Sequence, residues 1–104
     1  MDGYLYHGTH KAALASIFAE GVNGPSYWGD LHEASRYADG VLLRVPVERF
    51  DPDGLQSNTL LAEAIADDDE SSAPCPEDWI TSLEELGSVR YDYTLKVSEQ
   101  DLYA

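Results

Sequence analysis

The sequence predicts an α+β fold: a compact mixed, mostly antiparallel sheet with flanking helices. Two patterns lead there. Residues 3–7, 41–47 and 89–97 alternate apolar and polar side chains with the period of a strand. Between them run stretches with helical spacing, opened by capping residues and closed by glycine. The order is β–α–β–α–β, then a helix and a final strand. No glycine-rich βαβ phosphate signature supports a parallel, doubly wound sheet. At 104 residues the chain has room for one core, so a single domain over residues 1–104 is expected.

Residues 3–7 form the expected first strand, with Tyr4 and Tyr6 on one face and Leu5 and His7 on the other. Gly8 suits a sharp turn or a close approach of another group. Thr9 can cap the next helix, expected over residues 11–20 with Leu14, Ile17 and Phe18 as its apolar stripe and Gly21 as its stop. Asn23-Gly24-Pro25-Ser26 is turn chemistry. A short aromatic strand follows over residues 26–28. A helix is expected over residues 31–38, where Asp30 and Glu33 have capping-box spacing. Tyr27, Trp28 and Tyr37 crowd three aromatics into this unit, which suits stacking on a flat ligand as well as core packing.

Residues 41–47 read as a strand, and Pro46 argues for an edge or a strand end. Residues 50–54 form a turn, and residues 60–66 a short helix. The next helix opens at Pro76 or Glu77, buries Trp79, Ile80, Leu83 and Leu86, and ends at Gly87. Residues 89–97 make the clearest strand, with Asp92 facing away from Tyr91 and Tyr93.

Charge narrows the partners. Twenty acidic residues against six basic ones give −14 and a pI of about 4.2. Such a field repels free nucleic acid, whose binding rests on Lys and Arg contacts to phosphate. It favours a basic protein surface, including one that normally holds nucleic acid. Residues 62–85 hold nine acids and no base, and an acidic loop is expected at about 66–76. Cys75 is the lone cysteine, and no signal peptide or membrane span is recognisable, so a cytoplasmic protein without membrane contact is expected.

Several chemistries drop out. Cys75 lies in a proline-flanked segment with no histidine placed to activate it. His7, His10 and His32 lack metal-ligand spacing, so no metal site is expected. Asp67-Asp68-Asp69-Glu70 lacks the glycine and alternating ligands of a calcium loop. What remains is His7 on the first strand, Tyr27 on the second, Tyr37 at a helix end and Asp92 on the last strand.

These residues sit in a longer ordered pattern. Tyr6-His7-Gly8-Thr9, then Glu20-Gly21-Val22, Tyr27-Trp28-Gly29-Asp30 and Ala34-Ser35-Arg36-Tyr37-Ala38, resembles the ADP-ribosyltransferase superfamily in its poly(ADP-ribose) polymerase and diphtheria-toxin branch. It is most similar to small bacterial and phage members that open on a Leu-Tyr-His-Gly-Thr strand. The later Trp79, Ser82-Leu83 and Leu86-Gly87-Ser88-Val89-Arg90-Tyr91 continue the likeness to the other end of the chain.

The resemblance implies an ADP-ribosyltransferase-like fold with NAD as substrate. His7 would bond the adenosine ribose, Gly8 backbone groups would hold the nicotinamide amide, and Tyr27 and Tyr37 would stack around the ring. Thr9 and Arg36 fall in the same cofactor-binding segments. Asp92 would stand where the family carries its catalytic acid, usually a glutamate, making His7, Tyr27 and Asp92 the catalytic set. A carboxylate there offsets the positive charge that grows as the glycosidic bond breaks.

The implied function is transfer of ADP-ribose to a macromolecular target, as a toxin, effector or phage anti-defence factor. The alternative is a non-catalytic acidic inhibitor, a nucleic-acid mimic of the anti-CRISPR kind, docked on the basic surface of a nucleic-acid-binding protein. The charge of −14 and the acidic tract over residues 62–85 motivate that alternative.

Overall fold

The computed structural model describes residues 3–59, 61 and 78–103. Among them, five strands form one sheet in the order β3–β1–β2–β5–β4. They are β1 Tyr4–His10, β2 Ser26–Gly29, β3 Gly40–Pro46, β4 Leu55–Ser57 and β5 Ser88–Tyr91. Every pairing between them is antiparallel. Three α-helices lie wholly within the described residues: α1 Leu14–Glu20, α2 Leu31–Tyr37 and α3 Trp79–Leu86. The predicted α+β class is therefore found. The acidic stretch at 66–76, Cys75 and nearly all of the helix expected over 60–66 lie outside the described residues.

Alternation along the strands builds the core. Leu5, Leu43, Val45, Val89 and Trp28 are at most 1 % exposed, and Phe50 and Tyr91 close the cluster. Each such side chain contributes on the order of 1.5–3 kcal/mol by leaving water. Ile17 and Phe18 of α1 and Trp79 of α3 pack against it.

Four expectations are corrected. β1 does not stop at His7; it continues to His10 because β3 offers a partner for every residue from Tyr4 opposite Pro46 to His10 opposite Gly40. Thr9 is thus a strand residue beside Val41, and α1 begins only at Leu14, after a 3-10 turn and without a side-chain cap. The last strand stops at Tyr91. Its neighbours end there, since β2 begins with Ser26 opposite Tyr91 and β4 begins with Leu55 opposite the same residue. Leu95 and Val97 still bury themselves beyond it, while Tyr93 is exposed. β4 was not foreseen: three residues, Leu-Gln-Ser, carry almost no strand signal.

Helix ends follow local chemistry. Asp30 caps α2 by accepting from the Glu33 amide at 2.8 Å. α3 starts at Trp79, two or three residues after the expected start, and Asp78 caps it by accepting from the Thr81 amide at 2.7 Å. Gly87 closes α3 at φ 72°, a left-handed conformation that favours glycine. β3 is an edge strand, as Pro46 suggested, and the C-terminal segment lies along it through the Leu43–Leu102 bridge and a Tyr103 amide bond to the Leu42 carbonyl.

Candidate functional site

β1 and β2 share a single ladder pair, Tyr6 with Gly29. Beyond it β1 stays on β3 while β2 stays on β5, so the strands part at His7 and Trp28. The wedge opens into a cleft of about 450 Å³ lined by His7, Gly8, Tyr27, Trp28, Glu33 and Tyr37, together with Tyr6, Gly29, Ala34, Asn58, Leu61 and Ser88. That volume is in the range that holds a small organic ligand.

His7 spans the wedge. Its Nδ1 lies 2.7 Å from the Tyr27 carbonyl oxygen. A carbonyl only accepts, so Nδ1 carries the proton and, in the neutral ring, Nε2 keeps a lone pair. The imidazole packs on Trp28 with ring centroids 4.9 Å apart and planes tilted by 34°. Burial pushes the His7 pKa below its ordinary value of 6.5, opposed in part by the bond to Tyr27. The ring is therefore neutral at pH 7.

Gly8 lets helix α2 close on the strand. A Cβ there would meet the Ala34 carbonyl oxygen and would stand 2.6 Å from the Ala38 nitrogen and 2.9 Å from the Tyr37 carbonyl carbon. Only a residue without a side chain permits this approach. It sets Tyr37, at the C-terminus of α2 and 64 % exposed, beside the cleft. Tyr27, on β2, is half-exposed. Trp28 is buried, its indole N–H donating to Ser26 Oγ at 2.9 Å.

Four of the residues singled out from sequence thus converge: His7, Gly8, Tyr27 and Tyr37. Three do not line the cleft. Asp92 lies just past β5, its amide bonded to the Gly54 carbonyl and its carboxylate accepting from Arg90 Nε at 2.8 Å. Thr9 pairs with Val41 in the sheet. Arg36 is mostly exposed on α2 and holds Glu33 Oε2 at 3.3 Å.

Sequence reasoning passed over Glu33 as a site residue. It is 8 % exposed and lines the cleft, and its Oε1 is buried without a hydrogen-bond partner among the described residues. The available signal was its i, i+4 relation to Tyr37, which sets both on one face of α2. Asn58 and Ser88 were also passed over. Asn58 Nδ2 donates to Ser88 Oγ at 2.9 Å, the Asn58 amide to Ser82 Oγ at 3.0 Å, and Ser82 Oγ in turn to the Ser88 carbonyl at 2.6 Å. This closed network holds the approach to α3, β4 and β5 together; it depends on pairing that no local pattern announces.

The arrangement can hold a flat ring between aromatic side chains, with the neutral His7 and the Glu33 carboxylate beside it. Among the described residues, no lysine or arginine lines the cleft. Among the described residues, no three His, Cys, Asp or Glu side chains gather as for a metal ion, and no helix is long and apolar enough to cross a membrane. No family model, curated protein or solved structure matches the chain, so the cleft is read from its own residues.

Proposed function

We propose that the cleft binds the nicotinamide end of NAD and that the protein is an ADP-ribosyltransferase-like module. The observation that carries this reading is the convergence of His7, Gly8, Tyr27 and Tyr37 on one cleft. These are the residues to which the resemblance assigns the ribose, the ring amide and the stacking faces. A cleft walled by aromatics takes up a planar heterocycle and excludes water from it. The exposed Tyr37 can fold over a ring once it is bound.

Binding has more support than cleavage. Asp92 is paired with Arg90 and is not among the residues that line the cleft, which weighs against placing it at the bond that would break. Transfer of ADP-ribose to a macromolecule, on this reading, needs a target that completes the site. With a charge of −14 the protein is drawn to a basic surface, and a nucleic-acid-binding protein is the fitting class of partner.

The test is calorimetric titration with NAD, followed by an assay for released nicotinamide. Saturable binding that weakens about tenfold in Tyr37→Ala supports the reading, a change of about 1.4 kcal/mol. Absence of NAD binding by the folded wild-type protein overturns it. Nicotinamide release, abolished in His7→Ala, would add the transfer chemistry.

A further inference from the structure

We infer that Glu33 is the specificity residue of the cleft and selects a ring that carries positive charge, such as a pyridinium, over a neutral ring of the same shape. The inference rests on the cleft being a ring-binding site, and it adds what kind of ring.

Glu33 is an unusual residue for its position. It lies on α2, four residues before Tyr37, and is more than nine-tenths buried. Among the described residues its Oε1 has no hydrogen-bond partner, and a buried acceptor left unpaired is costly. Helix capping does not explain the side chain, because the cap uses the Glu33 amide while the carboxylate serves no backbone group. Arg36 compensates only in part: it reaches Oε2 alone, at 3.3 Å, and its side chain is largely in solvent. The carboxylate thus retains unanswered negative charge at the wall of a cleft.

The rest of the wall favours the same sign of ligand. Tyr27 and Tyr37, both exposed at the cleft, supply aromatic rings, whose faces attract cations through their quadrupoles. Among the described residues no lysine or arginine lines the cleft, and His7, held neutral by burial, adds no opposing charge. A low-dielectric wall strengthens each of these effects. A cation entering the cleft answers the charge that the fold leaves open.

The test uses two ligands of nearly identical shape. In 1-methylnicotinamide the ring is a permanent cation; in 3-methylbenzamide a carbon replaces the ring nitrogen and the charge is gone. Calorimetry on the full chain should give the cation an affinity about tenfold higher. In Glu33→Gln that preference should fall to about twofold, with the neutral ligand unaffected. In Arg36→Gln, an exposed position that the fold tolerates, the preference should rise above the wild-type ratio. Equal wild-type affinities would overturn the inference while leaving ring binding intact, whether or not Glu33→Gln folds. An unchanged ratio in a folded Glu33→Gln would overturn the role of Glu33. Binding of neither ligand would overturn the ring-binding reading and this inference with it.

Discussion

His7 Nδ1 donates to the carbonyl oxygen of Tyr27 across 2.7 Å, at the point where β1 and β2 part. One side chain thereby does what a ladder hydrogen bond does elsewhere in the sheet. It also fixes the imidazole, so that its orientation and tautomer are set before any ligand arrives.

The burial of that ring gives the protein a pH signature, which the bond to Tyr27 only tempers. Burial lowers the His7 pKa below 6.5, so the folded state prefers the neutral ring more than the unfolded chain does. Below pH 6.5 the unfolded chain takes up the proton more readily. The stability tied to neutral His7 is complete above 6.5 and is lost as pH falls through the lowered folded value. Urea unfolding of wild type and His7→Gln from pH 7.5 to 5 should show their difference shrinking, by at most about 1.4 kcal/mol per pH unit. A difference that does not vary with pH would contradict this.

Gly8→Ala should both destabilise the fold and spoil the cleft. The added methyl meets α2 backbone at Ala34, Tyr37 and Ala38, which cannot rotate aside as a flexible side chain can. Overpacking of this kind costs about 1–3 kcal/mol or more. For a domain of this size each kcal/mol lowers the melting temperature by roughly 4–8 °C. Gly40→Ala tests the contrast: its Cβ would meet only the end of Lys11, at 3.7 Å, leaving backbone strain at φ 88° as its penalty. Gly8→Ala should lose ligand binding; Gly40→Ala should keep it.

Ser82 is wholly buried and serves two partners, donating to the Ser88 carbonyl and accepting from the Asn58 amide. Ser82→Ala removes both bonds and leaves two backbone groups unpaired. The expected loss is about 2–4 kcal/mol by chemical denaturation. Ser82→Thr keeps the hydroxyl but adds a methyl to a filled site, so it should fall between the two.

Asp92 and Tyr37 should behave oppositely. The Asp92–Arg90 pair is partly exposed, and pairs of that kind contribute about 1 kcal/mol at most. Asp92→Ala should leave NAD affinity within twofold of wild type. Tyr37→Ala should weaken it about tenfold and leave the melting temperature nearly unchanged, since Tyr37 is largely exposed. A large loss of affinity in Asp92→Ala would return that carboxylate to the site.

How much of this was legible depended on whether the signal was local. Asp30, the aromatic β2 and the alternation of β3 are local, and the sequence announces them. Thr9 misled because a good capping residue was also in reach of β3, and pairing along the strand outweighed the cap. Residues 92–97 misled in another way: their alternation reports burial, and burial continues at Leu95 and Val97 after both flanking strands have ended. Asp92 falls just past the end of β5 and is not among the residues that line the cleft. Glu33 was hidden by its second role, since capping-box spacing gave it an adequate explanation already. Ser82, Asn58 and Ser88 come together only through tertiary packing of α3 with β4 and β5.

The most direct measurement is a nitrogen–proton correlation spectrum of the labelled protein titrated with NAD. NAD should produce saturable shifts concentrated on the amides of Gly8, Tyr27, Trp28 and Tyr37, with residues along β3 and the C-terminal segment unmoved. Shifts absent from those four amides at saturating NAD, or confined to another face of the sheet, would contradict it.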